Sequence, residues 1–160
     1  MKLMFFKGIH PGLAGIYSHG VRIITKSIYS HVELLFDDGG SASSSYLDGG
    51  VRYKTVDYSV ASDWDCIELP SALYETAARA WFDAHKGQGY DLLGNLHFVI
   101  SVVGDEKSKW FCSEAVGAAL GLPNSWRFDP GTLYQAVSWM ADSLKRQTIL
   151  DLPTTSYAAA

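Results

Sequence analysis

The chain has 160 residues, 48% of them hydrophobic and 19% charged, which fits one domain with a single core, read as residues 1–152 with a flexible tail at 153–160. Five Trp, nine Tyr and seven Phe exclude a disordered body, and 13 Lys and Arg against 17 Asp and Glu give a net charge of −4, without the basic excess that nucleic-acid binding calls for. Two cysteines, Cys66 and Cys112, exclude a disulfide-stapled scaffold and a Cys-rich zinc finger.

Met1 to Phe6 reads as a short strand or extended arm that ends in the turn residues His10-Pro11-Gly12. No signal-peptide h-region of normal length follows Lys2, so a cytoplasmic location is expected. Between Leu13 and Lys26 the residues Leu13, Ile16, Tyr17, Val21 and Ile24 keep helical spacing and predict a helix, while Gly15, Gly20 and the β-branched Val21, Ile23 and Ile24 leave a strand open. Four strands are then predicted: His31 to Phe36, Ser41 to Tyr46, Val51 to Val56 and Trp64 to Leu69, separated by Asp-Gly and Gly-Gly turns and stopped by Pro70. Together they suggest an antiparallel meander. In the last of them Cys66, beside Ile67 and Leu69, reads as a buried thiol.

The second half is predicted to be helical. Ser71 is the expected N-cap of a helix whose stripe Leu73, Ala77, Ala80, Trp81 and Ala84 faces inward and which ends near Gly87. A further helix is expected from Asp91 to Val103, whose apolar run is broken by Gly94, Asn95 and His97 and is too short for a membrane span, which needs ~20 residues. After a charged loop, Trp110 to Glu114 opens a short helix closed by Gly121 and Pro123. Asp129 as N-cap and Pro130 at the first helical position start a last helix with Leu133, Val137, Met140 and Leu144 on one face.

Cys112 stands where a loop becomes a helix. Unpaired N–H groups and a partial positive charge at a helix start favour a thiolate, and the same N–H groups can stabilise an oxyanion. Such a position suits a nucleophile, and a lone cysteine beside Trp110 and Phe111 also suits a buried structural role. Among His10, His19, His31, His85 and His97, only His31 has a supporting neighbour. His31 and Glu33 share one face of a strand, roughly 6.6 Å apart along it, so Glu33 can orient the imidazole; the pair also fits a solvated strand face. The other four histidines read as packing or surface residues. Asp91 reads as an N-cap, while the Tyr90 phenol either points into a site or packs. Metalloprotease, serine-hydrolase, Walker and EF-hand patterns are all missing, so no cofactor is implied.

Taken in order, Tyr29-Ser30-His31-Val32-Glu33, Ser41-Ala42-Ser43 with Asp48-Gly49-Gly50-Val51-Arg52, Tyr90-Asp91, Phe111-Cys112-Ser113-Glu114 and Asp129-Pro130-Gly131-Thr132-Leu133 resemble the circularly permuted branch of the papain-like NlpC/P60 superfamily, in particular its YiiX/YebB-like members. In that branch the histidine strand precedes the cysteine helix, as here. The resemblance implies an α+β permuted papain-like fold, an antiparallel meander or small barrel packed on helices with the cysteine at a helix N-terminus. It implies Cys112 as nucleophile, His31 as general base and Glu33 as the polar third member, a place that Ser43 or Ser45 on the next strand can also fill. It implies Tyr90 near the oxyanion position.

Relatives in the superfamily cleave amide bonds in peptidoglycan stem peptides or transfer and remove acyl groups on lipids. The expected activity is therefore a cysteine peptidase or amidase acting through a thioester, with a peptide or acyl-lipid substrate and neither nucleic acid nor an integral membrane segment. The alternatives are a lipid-directed acyltransferase or thioesterase, for which Leu92, Leu93, Leu96 and Phe98 to Val103 can build an apolar groove or membrane-contacting face although they also read as core, and a noncatalytic binding module that keeps the fold.

Overall fold

The computed structural model describes residues 1–9, 12–90 and 109–150. The helix expected at Asp91 to Val103, with its candidate groove, the Asp91 cap, His10, His97 and the tail at 153–160 lie outside them.

The described chain is an α+β protein. Strands β1 (Lys2–Phe6), β2 (His31–Leu35), β3 (Ser41–Ser45), β4 (Gly50–Lys54), β5 (Trp64–Glu68), β6 (Gly89–Tyr90) and β7 (Lys109–Trp110) form one open sheet in the order β5-β1-β2-β3-β4-β6-β7. All pairings are antiparallel except β6 with β7. The helices are α1 (Gly12–Thr25), α2 (Ser71–His85), α3 (Cys112–Ala119) and α4 (Pro130–Leu150).

The sheet departs from the expected meander and barrel in two ways. Of the strand or extended arm expected at Met1 to Phe6 the structure has the strand, and β1 lies inside the sheet, between β2 and β5. The chain leaving β4 also crosses to the opposite side of the sheet before β5, where Tyr58 bonds Ser41 at 2.8 Å and packs edge-on against Trp64. Gly50 marks the β4–β6 junction. Its φ is +139°, and a Cβ there would stand 2.0 Å from the Gln88 carbonyl oxygen, so only glycine lets the two backbones approach.

Period-two alternation sorts the strands' side chains. Leu3, Phe5, Val32, Leu34, Ala42, Val51 and Ile67 are buried in one cluster with Ala78 and Phe82 of α2, Ala115 and Val116 of α3, and Leu133 and Val137 of α4. The same alternation turns Cys66 outward, because Ile67 and Leu69 hold the inward positions; the thiol expected to be buried is exposed.

One helical face differs from expectation. On α2 the inward positions are Tyr74, Ala78, Trp81 and Phe82, while Leu73, Ala77, Ala80 and Ala84 are exposed: the large rings, not the alanines, choose the face. Ser71 is the first residue of α2 and Pro70 its cap, and the Ser71 hydroxyl accepts from the Met1 amino group instead. On α1, Ile16 and Ile24 are exposed and Ser18 is buried. At α4 the inward stripe is Leu133, Val137, Ala141 and Leu144, with Met140 at its edge.

Asp129 caps α4 as the sequence predicts. Its Oδ1 accepts from the backbone N–H groups of Gly131 at 2.7 Å and Thr132 at 3.1 Å, and its Oδ2 from the Thr132 hydroxyl at 2.9 Å. D129A should lower unfolding stability in urea by about 1 kcal/mol, with D129N keeping most of the loss from appearing; an unchanged midpoint for D129A would refute the cap's role.

Candidate active site

Two elements bring His31 and Cys112 together. His31 opens β2, and the residues before it are pinned: Ser30 N–H donates to the Phe6 carbonyl at 3.0 Å, while the buried Tyr29 ring stacks on Tyr134 with centroids 4.7 Å apart and donates its hydroxyl to Asp65 at 2.6 Å. Cys112 opens α3, which packs on β2 and β3. Three bonds set the start of α3. Ser44 Oγ donates to the Trp110 carbonyl at 2.6 Å, Ser113 Oγ donates to the Phe128 carbonyl at 2.6 Å, and Glu114 reaches back to accept from Phe111 N–H at 3.4 Å. The first turn of such a helix has N–H groups that lack intrahelical partners, and Cys112 carries one of them.

Cys112 is buried and stands near enough to the His31 ring for an electrostatic interaction with it. The ring also meets Glu33, with Nε2 2.7 Å from Oε1. The face-sharing expected from the strand therefore places both groups in one site, and Glu33 is 2% exposed, so the solvated-face alternative is excluded. Ser43 commits its hydroxyl to the Val32 carbonyl at 2.7 Å, which leaves Glu33 as the group on the imidazole. Ser45 ends β3 and is half-buried. Tyr90 pairs in register with Trp110, two residues before Cys112, and its ring meets that of Tyr46 at 6.1 Å. His19 is exposed, and His85 stacks on Trp81 with centroids 4.0 Å apart.

Sequence reasoning assigned no role to Arg52, although it stands in the quoted pattern. Arg52 clamps Glu33 with two bonds, Nη1 to Oε2 at 2.8 Å and Nη2 to Oε1 at 2.5 Å, and donates Nε to Asp48 at 2.8 Å. The register explains the reach. Ser43 faces Arg52 across β3 and β4, and continuing the β2–β3 pairing of Leu34 with Ala42 puts Glu33 opposite Ser43. A serine on the middle strand is small enough for the guanidinium to pass over it. The available signal was a cation at an alternate position of β4 beside an all-small strand, but it is readable only once the register is known.

The charges form a chain from Asp48 through Arg52 and Glu33 to His31 and Cys112. Burial alone would lower the His31 pKa; the Cys112 charge and hydrogen bond, then those of Glu33, outweigh it and push the value up to about 10. Burial would raise Glu33, yet Arg52 and then His31 hold its carboxyl below the usual range. Burial likewise opposes the Asp48 anion, and Lys54 and Arg52 pull that carboxyl down to about 2. At neutral pH the imidazole is thus a cation held by Glu33. Compared with known proteins, the chain matches no protein-family model and no curated protein.

The signs set a pH window. His31, raised, contributes stability that is complete below its ordinary value of ~6.5 and is lost as pH climbs through about 10; Glu33, lowered, contributes above the unfolded carboxylate value of ~4.3 and loses it on acidification. NMR of the His31 ring should show it still protonated at about pH 8, and E33Q should move the midpoint down toward ~6.5. A wild-type midpoint already near ~6.5 would contradict the arrangement. E33A, which strips the largely buried Arg52 of its main partner, should cost about 3 kcal/mol in urea unfolding.

Proposed function

We propose that the chain is a cysteine hydrolase of the permuted papain-like type, in which Cys112 attacks the carbonyl of an amide and passes through a thioester. The observation that carries this reading is the His31 imidazole held between a buried cysteine at a helix start and an ionised, Arg52-clamped Glu33. With Nε2 engaged by Glu33, Nδ1 is the nitrogen placed to exchange a proton with the thiol. The Cys112 sulfur is the nucleophile and His31 the group that exchanges its proton.

Attack of sulfur on the carbonyl carbon opens its double bond and puts negative charge on the oxygen. The N–H groups of the first turn of α3 are the donors for that oxyanion, with Tyr90 a candidate second donor. Collapse expels the amine, which takes the His31 proton, and leaves the acyl group on Sγ. His31, now neutral, takes a proton from water, whose oxygen attacks the thioester; the acid leaves and Cys112 is regenerated. Glu33 stays ionised throughout, because Arg52 keeps its charge paired, and so it orients and stabilises the imidazolium without taking the proton. Peptides such as peptidoglycan stem peptides are the substrate class proposed, in a compartment that keeps Cys66 and Cys112 reduced.

Because Cys66 is exposed, the test uses a C66S background. Iodoacetamide should alkylate Cys112 already at about pH 6, and H31A should slow that reaction by roughly 10-fold or more. With a stem-peptide library, C112A should lose hydrolysis entirely, and mass spectrometry of the parent enzyme quenched in acid should show an acyl adduct on the Cys112 peptide. Hydrolysis retained by C112A would overturn the assignment.

A further inference from the structure

The charge pair at the centre of the candidate site points away from α2, α3 and α4. Alternation puts Leu3, Phe5, Val32, Leu34 and Ala42 in the core with those helices, so Met4, Glu33, Ser41, Ser43 and Arg52 lie on the other face of the sheet. Register sets them in a row: Cys66 opposes Met4, Met4 opposes Glu33, and Ser43 opposes Arg52. The outer end of the row, Cys66, is exposed, yet Met4 is 8% exposed, Glu33 only 2%, and Ser41 and Ser43 are fully buried. The outer face of an antiparallel sheet is commonly wet. This one is dry where its charges are.

Topology supplies the cover. Strands β4 and β5 are consecutive in the chain but four strand spacings apart in the sheet, about 19 Å, so residues 55–63 must cross one of its faces. They cross the outer one. There the half-buried Tyr58 bonds the Ser41 hydroxyl at 2.8 Å and sets its ring edge-on to Trp64 with centroids 4.9 Å apart, and Trp64 in turn meets the buried Phe6 at 5.0 Å. Ser41 stands two residues along β3 from Ser43, which places the Tyr58 phenol beside the Glu33–Arg52 pair, and the charges of both act on it. The crossing segment is held by Ser59 N–H donating to Asp57 Oδ1 at 2.9 Å, Asp63 N–H to the Val60 carbonyl at 3.0 Å, and Lys7 N–H to the Asp63 carbonyl at 2.7 Å. The titratable groups facing Glu33 are thus Arg52, His31 and Tyr58, with Asp48 and Lys54 behind Arg52.

We infer that Tyr58 is a positioning residue for the candidate active site: its ring roofs the Glu33–Arg52 pair and keeps water from between those charges, so that Glu33 stays fixed on the His31 imidazole. This role rests on the hydrolase reading for the purpose of the site and adds to it the residue that shields the charges. Water and dissolved salt weaken a charge pair that they reach and barely affect one that is closed off. Shielding is therefore readable as salt dependence, which a side chain that only stabilises the fold would not alter.

NMR of the His31 ring in a C66S parent, titrated in about 0.05 M and about 1 M NaCl, tests this. The parent midpoint should agree in the two salts to within about 0.2 pH unit, whereas in Y58A it should fall by about 1 unit at the higher salt, toward the ordinary ~6.5. Y58F keeps the ring and should behave as the parent. V137A loosens the core on the helix side and should lower unfolding stability while leaving the midpoint independent of salt. Iodoacetamide alkylation of Cys112 at about pH 6 should slow by roughly threefold at high salt in Y58A and in neither control. A parent midpoint that already falls with salt would overturn the inference without any variant having to fold. A salt-independent Y58A, or an equal shift in Y58F or V137A, would overturn it too. The midpoint is read without substrate, so hydrolysis retained by C112A sinks the hydrolase and not the shielding, and a Y58A titration like the parent's does the reverse.

Discussion

A buried, ionised carboxylate is the constraint on which this structure turns. Glu33 is 2% exposed, and an unpaired carboxylate so placed would take up a proton or unfold its surroundings. Here Arg52 meets both of its oxygens and His31 meets one, while Asp48 and Lys54 extend the alternation of charge to the surface. Removing any inner member strands a charge, so the network specifies the relative positions of β2, β3 and β4 more sharply than apolar contacts would.

The same network has a direction. It begins at the half-exposed Lys54 on β4 and at Asp48 in the turn before it and ends at a thiol on α3, and the histidine in the middle is the one group in it whose ordinary pKa lies near neutrality. Serines on β3 serve both sides of the sheet: Ser43 leaves the guanidinium room on one face, and Ser44 ties down the approach to α3 on the other. The run Ser41 to Ser45, which in isolation looks like loop composition, is therefore a central strand whose small side chains let large polar ones meet across it. The aromatic set Phe5, Tyr29 and Tyr134 plays a comparable part for His31, fixing the chain just before β2 against α4.

Much of this was legible beforehand. Turn residues and alternation located β2 to β5, the Asp129-Pro130 pair located α4, and the loop-to-helix change at Phe111 located α3, because each is a local preference written within a few residues. The placement of His31 beside Glu33 was legible too, since a strand's period of two needs no tertiary information. Less legible were the inward faces. On α2 the alanines and Leu73 keep a helical spacing as good as that of Tyr74, Ala78 and Phe82, and only the volume available under the sheet chooses between them. On α1 the helix forms as its spacing predicts, with Ile16, Ile23 and Ile24 exposed.

What the sequence determined by itself is strands β2 to β5, the helices α1 to α4, the strand face shared by His31 and Glu33, and the helix start at Cys112. What only the tertiary structure decided is the register that sets Arg52 opposite Ser43, the packing of α3 on β2 and β3 that brings Cys112 to His31, and the exposure of Cys66. The physical reason is range. Backbone propensity and capping act over one or two turns of chain, whereas a charge pair 19 residues apart, as between Glu33 and Arg52, exists only after strand pairing has removed water from between them.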